Sequence, residues 1–205
     1  MTEIKRIRVG QLLTNCYVVS KNGVAFVIDV GANAKKVKDY CDSQNLKVEG
    51  ILLTHGHYDH VGAVKEFQDL TGAKIYVSTL DGTLANDRRN MAIEMGCVMN
   101  PFTPDVLLED GDHITTGDMD VTVIATPGHT SGGVCFVLED QIFSGDTLFQ
   151  TSYGRTDLPT GNYNELKKSI HKLFALDGNY KVHPGHGFST TLDDERKHNM
   201  INFDD

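Results

Sequence analysis

Short apolar stretches recur along the chain and predict β-strands. Two of them, at 16–20 and 25–29, flank Lys21-Asn22-Gly23, and an Asn-Gly pair between two apolar runs is typical of a β-hairpin. The same kind of pattern predicts further strands at 6–9, 50–54, 74–77, 121–125, 134–138, 141–144 and 180–182. The sequence therefore indicates a protein rich in β-structure.

Apolar residues at helical spacing predict helices between these strands, around 37–41, 63–70 and 163–173, with a shorter one after Thr191. Asn162 stands where an N-cap is needed, and Thr191 with Asp194 resembles a capping box. The stretch 79–104 is compatible with a helix until its two prolines, so we expect either a lid or a surface helix there. No repeat or linker interrupts the chain, and we expect one domain over residues 1–205.

The charge balance bears on possible partners. Lys and Arg number 19 against 28 Asp and Glu, a formal charge of −9 without any long basic run, so we expect no nucleic-acid partner. The first residues are polar, and no apolar run approaches the roughly 18 residues that span a bilayer, so we expect a cytoplasmic protein without a membrane partner. The four cysteines form no CxxC pair and are expected to be reduced packing residues.

Histidines carry the chemistry that the composition suggests, because five of the nine stand in tight motifs. His55 and His57 follow the predicted strand 50–54, where alternate side chains of an extended backbone point the same way. Asp59 and His60 begin the next predicted helix and point elsewhere. This split suits two cations about 3.5–4 Å apart, the usual spacing in two-metal hydrolytic sites.

Three further motifs each add one candidate ligand on a loop that follows a predicted strand. They are Thr-Pro-Gly-His-Thr with His129, Ser-Gly-Asp-Thr with Asp146, and Pro-Gly-His-Gly with His186. Imidazole and carboxylate ligands without thiolate suit zinc, with iron or manganese as substitutes. We therefore expect two divalent metal ions, zinc before iron or manganese.

These motifs resemble those of the metallo-β-lactamase fold superfamily, and most of all its small single-domain glyoxalase II-like hydrolases. The resemblance runs from Thr14-Asn15-Cys16-Tyr17 to the motif around His186. It implies an α+β fold, a four-layer αββα sandwich of two mixed β-sheets with helices on both outer faces. It also implies a first metal on His55, His57 and His129, a second on Asp59, His60 and His186, and Asp146 as the bridge.

The resemblance further implies a thioesterase whose nucleophile is a hydroxide held between the metals, with Asp59 beside it. Two divalent cations set against Asp59, Asp146 and one hydroxide leave a local charge near +1, which favours a small anionic substrate. S-lactoylglutathione or a related 2-hydroxyacyl thioester is the predicted substrate. Antibiotic hydrolysis is not expected, since the β-lactamases of this superfamily usually have a cysteine ligand at the second metal.

Other activities stay open at this point. Gly154-Arg155-Thr156-Asp157 also resembles the persulfide dioxygenases, which would use His55, His129 and Asp146 around one iron. A non-catalytic metal-binding domain is a third reading, and an RNA-processing nuclease of the same fold is disfavoured by the acidic chain. Full-length glyoxalase II enzymes carry a C-terminal helical region that binds glutathione, whereas this chain ends 19 residues after His186, which leaves the thiol carrier open.

Residues around the ligands are candidates for supporting roles or for substrate contact. Four are expected to support the ligands by hydrogen bonds: Asp29, Arg155, Asp157 and His183. Four are candidates for contact with the substrate: Tyr153, Tyr163, Arg88 and Arg89. The ordinary alternative for each is a packed or solvent-exposed side chain.

Overall fold

Two six-stranded β-sheets dominate the computed structural model, which describes residues 1–98 and 100–201. The first sheet contains β1 (Glu3–Val9), β2 (Thr14–Lys21), β3 (Val24–Ile28), β4 (Lys47–Leu52), β5 (Lys74–Ser78) and β6 (Val106–Leu108), side by side in that order. The sheet is mixed: β2 pairs antiparallel with both β1 and β3, whereas β3, β4, β5 and β6 run parallel to one another.

The second sheet is also mixed. Its strands are β7 (His113–Thr116), β8 (Met119–Ala125), β9 (Val134–Leu138), β10 (Gln141–Gly145), β13 (Lys181–Pro184) and β14 (Thr190–Thr191), while β11 (Leu148–Phe149) and β12 (Ser152–Tyr153) form a separate ribbon. The order across the sheet is β14-β13-β10-β9-β8-β7. Only β10 and β13 run parallel among the described pairs of this sheet.

Helices cover the outer face of each sheet. They are α1 (Ala34–Ser43), α2 (Tyr58–Val61), α3 (Val64–Thr71), α4 (Thr79–Ala85), α5 (Tyr163–Phe174) and α6 (Leu192–His198), with a 3-10 turn at Arg88–Asn90. Val37 of α1 and Phe67 of α3 pack on the first sheet, and Leu166 of α5 and Leu192 of α6 pack on the second. None of the described helices is long and apolar enough to cross a bilayer.

The two sheets pack face to face through a core of buried side chains that includes Tyr17, Phe26, Phe136 and Phe143. Alternation along the strands produces the layers: Tyr17 of β2 faces this core, while its neighbour Cys16 faces the helices. The structure therefore confirms the predicted αββα sandwich with helices on both outer faces.

Several local predictions are confirmed. Asn22 and Gly23 join β2 and β3 with φ angles of 52° and 81°, the left-handed conformation that an Asn-Gly hairpin turn requires. The side chain of Asn162 accepts a hydrogen bond from the Glu165 amide and caps α5. Thr191 caps α6 by accepting from the amide of Asp194.

Other predicted elements have different bounds. The strand predicted at 25–29 ends at Ile28 because Asp29 has a φ of 57° and turns the chain towards the site. The strand predicted at 50–54 begins earlier and ends at Leu52, since the amide of Thr54 donates to the Asp29 carboxylate instead of to a strand. The stretch 79–104 contains only the two-turn helix α4 and the 3-10 turn, followed by turns among its described residues.

His183 on β13 is packed away from the ligand motifs, unlike the supporting position predicted for it. Its ring stacks on Phe143 at 5.0 Å between centroids, and its two nitrogens lie 2.8 Å from Gln141 Oε1 and 3.2 Å from Ser189 Oγ. Burial lowers the pKa of His183 from 6.5 to about 4, with a smaller contribution from Lys181. The folded protein therefore holds this ring neutral.

This burial predicts a pH-dependent contribution to stability. Between pH 6.5 and about 4 the unfolded chain protonates His183 and the folded chain does not, so stability is present above pH 6.5 and falls as the pH drops towards 4. As the pH drops from 6.5 to about 4, the unfolding free energy of wild type should therefore fall by on the order of 2 kcal/mol more than that of His183→Gln, as measured by unfolding in denaturant. Parallel pH profiles for the two proteins would contradict the assignment.

Candidate metal centre

All seven predicted ligands meet at one edge of the sandwich, where strands of both sheets end. His55 and His57 follow β4, and Asp59 and His60 lie on α2. The other three stand on loops of the second sheet: His129 between β8 and β9, Asp146 after β10, and His186 after β13. We call these seven residues the ligand cluster.

Three histidines form the first part of the cluster. One ring nitrogen from each of His55, His57 and His129 lies within 4.8 Å of the others, and all three side chains are buried. His57 Nδ1 and His129 Nε2 are 2.9 Å apart. This spacing leaves room for three nitrogens to bind one small cation.

Hydrogen bonds outside the cluster determine which nitrogens face inwards. His129 Nδ1 donates to the backbone oxygen of Arg155 at 2.7 Å, so its Nε2 presents a lone pair. The Thr54 hydroxyl donates to Asp29, and its oxygen is therefore the acceptor for His55 Nδ1 at 3.1 Å. Both histidines are thus oriented as metal-binding histidines usually are, by a hydrogen bond to the opposite nitrogen.

A second group contains Asp59, His60 and His186, whose candidate ligand atoms also lie within 4.8 Å of one another. Asp59 Oδ2 is 3.1 Å from His186 Nε2 and 3.4 Å from His60 Nε2. His60 Nδ1 donates to Asp29 Oδ2 at 2.9 Å, so its Nε2 lone pair faces the carboxylates. A lone pair directed at carboxylate oxygens is stabilised when a cation lies between them.

Asp146 lies between the two groups. One of its oxygens is 3.4 Å from His60 Nε2, and the other is 3.7 Å from His129 Nε2 and 3.6 Å from His186 Nε2. Its carboxylate therefore contacts members of both groups.

Several buried side-chain atoms have no hydrogen-bond partner among the described residues. They are His55 Nε2, His57 Nε2, His60 Nε2 and Asp146 Oδ1 within the cluster. Burying such groups unpaired costs about 1–3 kcal/mol each, and native proteins rarely tolerate several together. Imidazole nitrogens and carboxylate oxygens suit divalent cations such as zinc or iron, so the cluster fits the implied metals.

Protonation equilibria agree with this fit. Burial lowers the pKa of His57 to about 3 and that of His55 well below its usual value, with neighbouring histidines adding to the effect. The pKa of Asp146 is raised by burial but lowered overall by His60 and His129. Burial opposes protonation of His60, yet Asp59 and Asp146 raise its pKa well above the usual value. The excess negative charge that favours this proton equally favours a cation.

Two residues support the second group directly. Asp29, expected from the sequence to support the ligands, accepts from His60 and from both the amide and hydroxyl of Thr54. Thr14, which has no predicted role, donates from its hydroxyl to Asp59 Oδ2 at 2.8 Å. Thr14 opens the Thr14-Asn15-Cys16-Tyr17 motif, so a signal for it was present in the sequence.

Asp81 is a buried carboxylate that the sequence did not reveal. It lies at the start of α4 and accepts from the Gly56 amide at 2.8 Å, the Gly132 amide at 2.8 Å and the Thr130 hydroxyl at 2.6 Å. These donors belong to the loop that carries His55 and His57 and to the loop that carries His129. Asp81 therefore ties two ligand loops together, and no local motif marks it.

The remaining supporting candidates contact the cluster less than expected. Arg155 reaches His129 only through its backbone oxygen, while its exposed guanidinium pairs with Asp157 at 2.7 Å. Asp157 thus binds Arg155 and not a candidate ligand. A side chain on an exposed turn gains more from its neighbouring counter-charge than from reaching the buried cluster.

A cavity of about 490 Å³ opens over the cluster. It is lined by Leu12, His57, Asp59, Met91, Met95, His129, Asp146, Phe149, Ser152, Tyr153, Arg155, Leu158 and His186. We call it the site cavity. The predicted contact Tyr153 lines it, and Tyr163 packs on Tyr153 at 5.9 Å between ring centroids.

The arginines predicted to contact substrate do not line the site cavity. Arg88 and Arg89 are exposed in the 3-10 turn, and Arg89 pairs with Asp87 at 2.9 Å. The next turn of the chain instead places Met91 and Met95 at the cavity, where the sequence offered no signal for them.

Removing the Asp81 carboxylate should destabilise the fold. Asp81→Ala leaves two buried amides and one hydroxyl without acceptors, and we expect a loss of about 3 kcal/mol in the unfolding free energy of the metal-free protein. Asp39→Ala, which removes an exposed carboxylate paired with Lys35, is the control and should change it by less than about 0.5 kcal/mol. Equal effects in denaturant melts would show that Asp81 does not join the loops.

A methyl group at Gly185 should disturb the cluster without replacing any of its ligands. A Cβ there would lie 2.2 Å from Asp146 Oδ1 and 2.6 Å from His60 Cε1. We expect Gly185→Ala to bind less metal per chain than wild type by elemental analysis. Gly187→Ala is the control, because its Cβ would meet no atom within 4 Å although its φ is also unfavourable at +76°. Equal metal content in all three proteins would contradict the geometry.

Known proteins share both the sequence and the fold. A protein of Aquifex aeolicus is 42% identical over 203 residues, covering 96% of this chain and 95% of that protein. The hydroxyacylglutathione hydrolase GloC of Haemophilus influenzae is 33% identical over 205 residues, covering 96% of each.

Among solved structures, BLEG-1, described as a B3 metallo-β-lactamase, superposes with a TM-score of 0.89 at 35% identity over 97% of this chain and 98% of that one. TTHA1623 in a di-iron-bound form gives 0.88 at 34% identity over 96% and 98%. ETHE1 from Myxococcus xanthus gives 0.82 at 25% identity over 97% and 83%.

The profile of the metallo-β-lactamase superfamily matches residues 9–186, which includes every residue of the ligand cluster. The strands, the cluster and the relatives thus agree on one assignment. The chain belongs to the metallo-β-lactamase superfamily.

Proposed function

We propose that the protein is a dinuclear-metal thioesterase that hydrolyses S-lactoylglutathione or a related 2-hydroxyacyl thioester. The observation that carries the proposal is a pair of ligand groups beside an open cavity, with Asp146 3.4 Å from His60 Nε2 in one group and 3.7 Å from His129 Nε2 in the other. In this proposal His55, His57 and His129 hold one cation, Asp59, His60 and His186 hold the other, and Asp146 contacts both.

Divalent cations in this position would lower the pKa of a bound water and place positive charge beside the oxygen of a carbonyl group. The chain's own residues prepare the site. Asp29 and the Arg155 carbonyl orient His60 and His129, and Thr14 orients Asp59. The pKa of Asp59 is raised by burial but lowered overall by His60 and His186, so its ionised carboxylate lines the site cavity ready to accept a hydrogen bond from the attacking water.

The reaction itself needs no protein nucleophile. Water adds to the thioester carbonyl, the carbon–sulfur bond breaks, and the products are a carboxylate, a thiol and one proton. GloC, a relative over nearly the whole chain, is a hydroxyacylglutathione hydrolase, which supports a thioester as the substrate. The di-iron form of TTHA1623 supports two metals and adds iron to zinc as a candidate.

A second candidate is an iron-dependent persulfide dioxygenase, which the likeness to ETHE1 and the Gly-Arg-Thr-Asp sequence at 154–157 favour. The likeness to BLEG-1 also makes a β-lactam a necessary test substrate. The cysteine ligand that is usual at the second metal of β-lactamases has no counterpart here, because none of the four cysteines joins the ligand groups. Cys16, Cys41 and Cys135 are instead buried in the layers of the sandwich.

Metal content and hydrolysis measured on the same preparation test the proposal. Protein purified without added metal, and then loaded with zinc, iron or manganese, should bind two ions per chain and hydrolyse S-lactoylglutathione. Asp59→Asn should lower kcat by about 100-fold or more, because the second group loses a charged ligand. Asp69→Asn, an exposed carboxylate on α3, is the matched control and should leave kcat unchanged.

Three results would contradict the thioesterase. The first is no hydrolysis of glutathione, coenzyme A or small-thiol thioesters by fully loaded protein. The second is one iron per chain with oxygen uptake on glutathione persulfide, which would establish the dioxygenase. Faster turnover of a β-lactam than of any thioester would favour the lactamase reaction instead.

A further inference from the structure

One side of the site cavity is built from apolar side chains. Its members, which we call the apolar wall, are Leu12, Met91, Met95, Phe149 and Leu158. They come from four separate parts of the chain and converge only in the fold. Leu12, in the loop between β1 and β2, remains 53% exposed although it borders a polar metal centre.

The part of the wall that carries Met91 and Met95 is held in place by contacts behind it. Met95 and Met91 are joined by a backbone hydrogen bond of 3.1 Å, and the Cys97 amide donates to the oxygen of fully buried Ala92 at 2.8 Å. Asn90, also buried, binds the Ala92 amide and the Ala85 oxygen. The methionine turn is therefore anchored to the end of α4, and a ligand meets a surface that already exists.

The site cavity offers no uncommitted cationic side chain among the described residues. Arg155 is the basic residue of its lining, and two of its nitrogens bind the Asp157 carboxylate at 2.7 Å. Arg6 and Arg8 lie over the ring of Phe188 and do not line the cavity. The guanidinium of Arg155 is thus already engaged by a carboxylate.

These observations concern the part of the substrate that lies beyond the reacting carbonyl. A glutathione carrier brings two carboxylates and one ammonium group, and carboxylates placed on an apolar wall lose water without gaining a partner. An alkyl group there covers exposed apolar surface and is favoured by about the free energy of one buried methylene for each carbon.

We propose that the protein acts on thioesters that carry an apolar chain next to the thioester group, seated on the apolar wall, in preference to charged thiol carriers. This inference rests on the proposed thioesterase and specifies its substrate class. The apolar chain belongs either to the acyl group or to the thiol. The two sources share one chemistry, and separate substrate series distinguish them.

The experiment uses metal-loaded protein and two series of thioesters. In one, acyl groups of two to six carbons are joined to N-acetylcysteamine; in the other, one lactoyl group is joined to alkanethiols of increasing length and to glutathione. In at least one series, kcat/KM should rise about fourfold per methylene until the wall is covered. Glutathione should be a poorer carrier than hexanethiol.

A polar substitution in the wall distinguishes the contribution of the wall to activity from that of the rest of the site. Met95→Asn should reduce the rise to less than about twofold per methylene. Ile93→Asn is the matched control, since Ile93 stands in the same turn, is 51% exposed and does not line the cavity. A flat series in wild type, or the same slope in Met95→Asn, would overturn the inference.

A binding measurement keeps this inference separate from the proposed function. Calorimetry with acetate, butyrate and hexanoate on the loaded protein should show affinity that rises with chain length, and Met95→Asn should lose that rise. Length-dependent binding without any thioester hydrolysis would remove the thioesterase and leave the apolar wall as the ligand surface. Hydrolysis that favours glutathione over every alkyl carrier would keep the thioesterase and remove the apolar wall as its substrate surface.

Discussion

The structure depends on a concentration of lone pairs that face one another in a buried space. The Nε2 atoms of His55 and His60 and one oxygen of Asp146 are buried without hydrogen-bond partners, and His57 Nδ1 lies 2.9 Å from His129 Nε2. Within the protein, imidazole rings that donate their opposite hydrogen outwards can only repel nearby carboxylate oxygens or share a cation with them. The cluster is suited to divalent cations, which would resolve this conflict.

The sandwich brings the ligands together because strands of its two sheets end at the same edge. The loop after β4 and the helix α2 that follows it carry ligands next to one sheet, and loops after β8, β10 and β13 carry ligands next to the other. Asp81 and Asp29 then join neighbouring loops through buried hydrogen bonds, and these bonds restrict where each imidazole can lie. Packing of the two sheets thus determines the site more than any single motif.

Much of this arrangement could be predicted from the sequence, because the relevant signals are local. Asn22-Gly23 determines a hairpin turn by its backbone preference, and the apolar run at 134–138 matches a strand with the same bounds. The ligand motifs place several metal-binding side chains within a few residues. Their chemistry can therefore be read before their geometry is known.

The features that escaped prediction depend on contacts between distant parts of the chain. Strand β6 has three residues and β7 has four, too few for a periodic pattern to be recognised. Asp81 looks like any helix-start carboxylate until Gly56 and Gly132 fold against it. Arg155 contacts His129 through its backbone oxygen, a role that the type of side chain does not indicate. Met95 lines the cavity only because its turn is anchored to another part of the chain.

The measurement that tests this account most directly is a crystal structure of the metal-loaded protein with anomalous scattering collected at the absorption edge of the bound metal. We expect two anomalous peaks, one within the His55, His57 and His129 group and one within the Asp59, His60 and His186 group, with Asp146 in contact with both. A single peak under saturating metal, or ligand loops that lie apart from one another, would contradict it.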